Sequence, residues 1–353
     1  MVIIKHSSGP KVAREQTFLM KDLRVNRLEL WAKGLDSSIP ASARLENVSG
    51  DASFRRYFRF PDASVPRVFV DAPPEHEDNP SFARISAAMI EAGLNVPVVF
   101  AADFDQGFMM ISDLGDEVYL DRIERCPEDI ESLYQDAVRT MIRMQSLECD
   151  LPLYDEKRLL DEMSLFHEWF LARQLQMELT DNRLEFLFDA YQLLIDNALE
   201  QPVCFVHRDF HGRNLMIVSS NPPGIIDFQD AVRGPVTYDL VSLYKDCYHR
   251  FDREWVEKAV AGFHISLIEN GLLRADQPVL RWFDLMGAQR HLKCAGIFSR
   301  LNLRDGKSSY LADIPLVVDY LIEVADLYED LGEFSCWLKE DVQPRLIASE
   351  FMR

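Results

Sequence analysis

The stretch HRDFHGRN at positions 207–214 constrains this chain more than any other feature. It has the spacing H-R-D-x-x-x-x-N, and a second acidic residue, Asp227, follows the apolar stretch 224–226. Phosphoryl transfer from a nucleotide requires a carboxylate that accepts a hydroxyl proton and oxygen ligands for magnesium. We therefore assign Asp209 as the catalytic base, and Asn214 and Asp227 as the magnesium ligands.

Neighbouring side chains are expected to support this loop. His207 is expected to lie beneath it and to hydrogen-bond backbone near the second acidic residue, and Asp239 to accept backbone N–H bonds from it. His211 either contacts substrate or shapes the loop. Alternatively, His207, Asp209 and His211 form a transition-metal site, since His-x-Asp-x-His can place three ligands on one face of a strand. That alternative leaves the two predicted magnesium ligands without a function.

Composition narrows the classes of partner. The net charge of -20 argues against binding nucleic acid or an anionic membrane surface, because both require patches of Lys and Arg. No apolar run reaches 18 residues, so no membrane-spanning helix is expected. The six cysteines are scattered, which is typical of reduced thiols in a cytosolic protein. We expect a cytoplasmic monomer or weak dimer.

Hydrophobic patterning predicts an α+β fold with two lobes. Residues 1–19 are expected to be a loosely ordered extension. Residues 20–113 are expected to form a small N-lobe of five mainly antiparallel strands and one helix. Residues 114–353 are expected to form a larger helical C-lobe that carries the catalytic loop and the acceptor site. A nucleotide is expected between the lobes, where clefts usually form.

The N-lobe contains candidate nucleotide-binding residues. A hairpin with small side chains can bind phosphates through its backbone N–H groups, and arginines grip phosphate with fixed geometry. A plain polar hairpin remains the alternative. The backbone at the C-terminal end of the N-lobe is expected to bind the adenine. The candidates are Gly50, Asp51, Ala52, Ser53, Phe54, Arg55, Arg56, Asp113 and Leu114.

Candidate acceptor-binding residues lie after the metal strand and on a helix near position 290. Positions 293 and 300 are seven apart and therefore share one helix face. A basic face in an acidic protein suggests an anionic group on the substrate, such as a lactyl carboxylate, although a solvated face with surface ion pairs remains the alternative. The candidates are His211, Asp230, Arg233, Arg290, Lys293 and Arg300.

The segments 207–214, 226–230 and 234–240 resemble the aminoglycoside phosphotransferase/choline kinase family, a branch of the protein-kinase-like fold. Segments 50–59 and 290–300 resemble, more narrowly, the bacterial kinases that phosphorylate the anomeric hydroxyl of N-acetylmuramate and N-acetylglucosamine. This resemblance implies an enzyme that uses ATP and Mg²⁺, acts on a small sugar, and makes a sugar 1-phosphate for peptidoglycan recycling.

The chain departs from kinase patterns in two respects. The third N-lobe strand contains no lysine to hold the α- and β-phosphates. Either Arg55 or Arg56 substitutes, or backbone and magnesium mainly hold the phosphates, or the protein is an inactive nucleotide-binding pseudokinase. Only eleven residues separate Asp227 from Asp239, which leaves no room for an activation loop. A small-molecule acceptor follows. An aminoglycoside, choline or homoserine kinase of the same fold is the alternative.

Overall fold

A computed structural model describes residues 10–49, 54–61, 63 and 65–349 of the chain. The chain divides into two compact units, Met1–Gly115 (unit 1) and Asp116–Arg353 (unit 2). Unit 1 contains an antiparallel sheet with helices, whereas unit 2 is mainly helical. The predicted α+β class, with a small β-rich part and a larger helical part, is confirmed.

The sheet of unit 1 has five strands in the order β1-β2-β3-β5-β4, and each neighbouring pair is antiparallel. Helix α2 (Asn79–Glu91) lies between the third and fourth strands in sequence. The strands are β1 (Glu46–Ser49), β2 (Arg56–Arg59), β3 (Arg67–Asp71), β4 (Val99–Asp103) and β5 (Phe108–Ser112).

Helix α1 spans Pro10–Leu35 and begins within the predicted N-terminal extension. A loosely ordered extension was predicted for residues 1–19, of which residues 10–19 belong to the helix. Residues 1–9 lie outside the described part of the chain. The physical reason is local, because residues 11–33 contain neither glycine nor proline, and Pro10 stands at the start, where its missing N–H costs nothing.

Helix α1 packs on the sheet through a common core that includes Leu28, Phe58 and Phe69. The turn before β5 requires glycine, because Gly107 has φ +73° and an added Cβ would lie 2.1 Å from the Ala72 carbonyl oxygen. These contacts fix the sheet and the end of β3.

Unit 2 is built around helix α9 (Val279–Asp305), most of whose side chains are buried. Its Gly296 allows close approach to α5, since an added Cβ would lie 2.4 Å from the Leu165 carbonyl carbon. Helix α5 continues as a π-helical segment over Phe166–Gln174. No helix in the described ranges is long and apolar enough to cross a bilayer. The other helices are α3 (Tyr119–Arg125), α4 (Ile130–Gln145), α5 (Glu156–Leu165), α6 (Asp181–Leu199), α7 (Tyr238–Tyr244), α8 (Arg253–Glu269), α10 (Ile314–Leu327), α11 (Gly332–Trp337) and α12 (Gln343–Ala348).

Two short antiparallel pairs position the predicted catalytic loop. Strand β6 (Val203–Val206) pairs with β9 (Val232–Pro235), and β7 (Leu215–Met216) pairs with β8 (Gly224–Ile225). The loop 207–214 connects β6 to β7, and Asp227 follows β8 after one residue.

Candidate active site

The loop begins with a backbone held by a buried carboxylate. Asp239, on α7 and 1% exposed, accepts hydrogen bonds from the backbone N–H groups of His207 (2.8 Å) and Arg208 (2.9 Å). Burial raises the pKa of Asp239 to about 6, although His207 and the two N–H groups act in the opposite direction. Arg208 has φ +78°, which L-residues adopt rarely and at a cost of about 1–3 kcal/mol. Asp239 therefore holds a strained turn immediately before Asp209.

His207 fixes the loop against the strand that precedes Asp227. Its Nε2 lies 2.9 Å from the Ile226 carbonyl oxygen, and its Nδ1 accepts the Asp209 N–H at 3.3 Å. Burial lowers its pKa, so the ring is neutral with the proton on Nε2. Both ring nitrogens are thus engaged. The described residues contain no group of three His, Cys, Asp or Glu side chains suited to a metal, so the alternative of a His207–Asp209–His211 metal centre is not supported.

The loop brings Asp209, Asn214 and Asp227 together. The Asn214 amide nitrogen donates to the Asp209 carbonyl oxygen at 2.9 Å and lies 3.4 Å from a carboxylate oxygen of Asp227. Gln229 donates to the other oxygen of Asp227 at 2.6 Å. Asp227 has φ +64°, an unusual backbone conformation of the kind that clusters at functional sites. Asp209 and two oxygen-bearing side chains therefore occupy one small region of unit 2.

Buried cations surround Asp209, whose side chain is 42% exposed. Arg290 lies 3.6 Å from an Asp209 carboxylate oxygen, and Lys293 lies 3.3 Å from Glu162, which also pairs with Arg208. Burial opposes ionisation of Asp209, but Lys293, Arg290 and Arg208 outweigh it and hold the pKa of Asp209 below its ordinary value. Asp209 is therefore ionised at neutral pH.

Glu162 and Tyr238 bind the cations around Asp209, and the sequence analysis did not identify either residue. Glu162, on α5, accepts hydrogen bonds from Tyr154 and Arg208, and Tyr238 accepts one from Lys293 at 3.1 Å. Tyr238 directly precedes Asp239, so the motif could have drawn attention to it. Glu162 carries no local signal, because its charged partners Arg208 and Lys293 lie far away in the chain.

The remaining acceptor candidates have different partners. His211 is buried, burial lowers its pKa to about 3, and its Nδ1 has no hydrogen-bond partner among the described residues. Asp230 contributes a backbone oxygen to Arg208 at 3.4 Å. Arg233 donates to the Leu147 carbonyl oxygen at 3.4 Å. The charges that act on half-buried Arg300 are those of Arg304 and Asp305, at the end of α9.

The nucleotide-binding candidates that the structure describes in unit 1 contact other residues of that unit. Gly50, Asp51, Ala52 and Ser53 lie outside the described residues, and Phe54 stacks on His76 at 4.0 Å. Arg55 pairs with Glu77 at 3.1 Å and is 2% exposed.

Arg56 donates to Asp71 at 3.0 Å, and Asp113 pairs with Arg59 at 2.6 Å. Leu114 is half-buried. Both arginines that were predicted to replace the missing lysine therefore have carboxylate partners, and their contact with nucleotide stays a prediction.

Comparison with known proteins identifies the family of the chain. The sequence model of the phosphotransferase enzyme family matches residues 44–284, which include the candidate site up to the start of α9. The chain belongs to the phosphotransferase enzyme family.

Two relatives are similar over most of their length. An N-acetylmuramate/N-acetylglucosamine kinase of Pseudomonas aeruginosa is 40% identical over 334 residues, which cover 88% of this chain and 95% of that kinase. The kinase of the same name from Neisseria meningitidis is 39% identical over 300 residues, covering 83% and 89%. Among solved structures, ADP-bound aminoglycoside phosphotransferase APH(2'')-Ib is similar with a TM-score of 0.56 at 16% identity, covering 84% of this chain and 98% of that one. The last similarity supports the predicted protein-kinase-like fold.

Proposed function

We propose that this protein is an ATP-dependent kinase that phosphorylates the anomeric hydroxyl of N-acetylmuramate, N-acetylglucosamine or both. The observation that carries the proposal is the 40% identity to the Pseudomonas aeruginosa kinase across 95% of that kinase. The short loop after Asp227 supports a small acceptor, and the ADP in the structural neighbour supports a nucleotide donor. The product would be a sugar 1-phosphate of use in peptidoglycan recycling, made in the cytoplasm, where ATP is available.

Asp209 is the base in this mechanism. The acceptor oxygen attacks the γ-phosphorus, the bond from that phosphorus to the β–γ bridging oxygen breaks, and ADP leaves. The hydroxyl proton passes to the Asp209 carboxylate, which is ionised and 42% exposed. Because transfer of this kind is loose and mainly electrostatic, holding Asp209 in place contributes more than its basicity.

Asn214 and Asp227 are the residues that would hold magnesium. Their donor set fits this ion, which takes one or two protein oxygens and completes its shell with water and phosphate oxygens. The Asn214 amide nitrogen donates to the Asp209 backbone, which leaves its carbonyl oxygen as the atom for a metal. Bound magnesium supplies positive charge that stabilises the transferring phosphate. The backbone at 113–115 and the segment 50–56 of unit 1 are the proposed nucleotide contacts.

A panel of acceptors tests the proposal. Purified protein with ATP and Mg²⁺ is offered N-acetylmuramate, N-acetylglucosamine, kanamycin and choline, and ADP release is measured. Release with the amino sugars alone is expected, with phosphorus NMR placing the phosphate on the anomeric oxygen. Asp209→Asn is the control for contaminating kinases and should lose about 1,000-fold or more in kcat while still binding ATP. Release with kanamycin or choline alone would change the acceptor class, and tight ATP binding without release would indicate a pseudokinase.

A further inference from the structure

Arg213 is an exposed cation in the candidate catalytic loop. Its guanidinium carbon lies 3.5 Å from the centre of the Tyr248 ring. Its charge acts on the carboxylates of Asp246 and Asp313, but no carboxylate of a described residue forms an ion pair with it. A guanidinium stacked on an aromatic face keeps the N–H groups of its edge for a planar anion such as a carboxylate.

Arg213 belongs to the neighbourhood of Asp209. The His211 backbone N–H donates to the Asp209 carbonyl oxygen at 3.1 Å, and the His211 ring meets the Tyr248 ring edge-on with their centres 5.5 Å apart. Asp209, His211, Tyr248 and Arg213 therefore form a continuous series of contacts. The charges of Asp209 and Arg213 both act on the His211 ring. If an acceptor binds with its hydroxyl at Asp209, the positive charge of Arg213 would therefore attract an anionic substituent of that acceptor.

The other cations around Asp209 already have partners. Arg290 is 4% exposed and lies 3.6 Å from the Asp209 carboxylate, and Lys293 is 7% exposed and lies 3.3 Å from Glu162. A substrate carboxylate would have to displace these internal carboxylates from buried positions, which is costly. Arg213 can bind an anion without breaking an ion pair.

We propose that Arg213 is a specificity-determining residue that binds a carboxylate on the acceptor sugar. This inference rests on the proposed function. N-acetylmuramate carries a lactyl carboxylate that N-acetylglucosamine lacks, so Arg213 adds binding energy for the first sugar only. The neutral sugar is accepted without that contact, because the cations nearest the base are balanced internally.

The test compares the two sugars in one variant. The ratio of kcat/KM for N-acetylmuramate to kcat/KM for N-acetylglucosamine is measured for wild type, Arg213→Gln and Arg213→Lys. Loss of a charged hydrogen bond predicts a fall of about 10- to 100-fold in the ratio for Arg213→Gln. Arg213→Lys should recover part of it. A readout that uses the ratio is insensitive to a general loss of active protein, which lowers both values together.

Two further variants make the result decisive. Arg281→Gln is the matched control, because Arg281 also lies over a tyrosine, Tyr328 at 4.9 Å, but pairs with Asp330, and its ratio should stay at the wild-type value. Lys293→Gln should lower both values together. A selective fall for Lys293→Gln with none for Arg213→Gln overturns the inference, as does a rise in the KM for ATP with both sugars. Wild-type turnover of N-acetylglucosamine alone also overturns it, whereas turnover of neither sugar removes the proposed function and this inference with it.

Discussion

Asp71 of unit 1 and Asp239 of unit 2 are both buried carboxylates, 0% and 1% exposed, yet they are held in different ways. Asp71 accepts hydrogen bonds from two arginines, Arg24 at 2.8 Å and Arg56 at 3.0 Å. Among the described residues, Asp239 accepts hydrogen bonds from backbone N–H groups, at 2.8 and 2.9 Å. Arginines neutralise a buried charge, whereas N–H dipoles satisfy its lone pairs and leave the charge in place. The first arrangement joins side chains of α1, β2 and β3, and the second fixes the shape of a loop.

Of the changes at these two carboxylates, Asp71→Asn should have the larger effect, which should be a loss of stability. The variant leaves the positive charges of Arg24 and Arg56 against a neutral amide, and breaking such a buried pair costs about 3 kcal/mol. Hydrogen exchange measured by mass spectrometry on peptides of unit 1 should show the loss. Asp105→Asn, an exposed turn residue of the same unit, is the control and should change little. Protection equal to that of the control would show that the two arginines contribute nothing net.

Asp239→Asn should act on catalysis. An amide offers one acceptor where two N–H groups need one each, so the backbone at Arg208 can relax from its strained φ and displace Asp209. We expect kcat to fall about 30-fold, equivalent to about 2 kcal/mol, with little change in the KM for ATP. The measurement is steady-state kinetics on protein whose far-UV circular dichroism matches wild type. A wild-type kcat would mean that the contrast between the two carboxylates has no bearing on the loop.

The contrast between a carboxylate paired with distant arginines and one bound to loop N–H groups also explains how much of the site could be predicted from the sequence. The loop 207–214 and Asp227 were predictable because short-range spacing determines them, and the structure brings Asp209, Asn214 and Asp227 together. The α+β class was predictable because a region of strands precedes a region of helices. The start of helix α1 was not predicted, although residues 11–33 contain neither glycine nor proline.

Ion-pair partners were the part that spacing could not predict. The seven-residue separation of Lys293 and Arg300 indicated a shared face of α9, but Lys293 is buried against Glu162 of α5, more than a hundred positions earlier. Likewise Arg55 and Arg56 looked available for phosphate until the fold brought Glu77 and Asp71 to them. A charge pattern predicts where cations lie along an element. Only the packing of distant elements determines whether each is neutralised.

Asp246 extends the comparison to a second carboxylate of unit 2, with the smallest expected effect. It is fully buried, and one oxygen accepts the N–H groups of Tyr248 (2.8 Å) and His249 (2.7 Å). Burial raises the pKa of Asp246 to about 6 from an ordinary value of 3.8, although those N–H groups, Arg290 and Arg213 act in the opposite direction. The folded state therefore binds this proton more tightly than the unfolded state, and the resulting stability is present at low pH and lost as pH rises through about 6.

The consequence is a stability difference that changes with pH. Between pH 7 and pH 5 the wild type should gain about 1.3 kcal/mol relative to Asp246→Asn, because the amide cannot take up the proton. Urea unfolding followed by tryptophan fluorescence measures it, since four of the five tryptophans lie in unit 2. Asp161→Asn, whose carboxylate is 61% exposed, provides the control for general effects of charge. A difference between wild type and Asp246→Asn that stays constant from pH 7 to pH 5 would show that N–H groups neutralise a buried carboxylate as well as arginines do, and the distinction between Asp71 and Asp239 would then be lost.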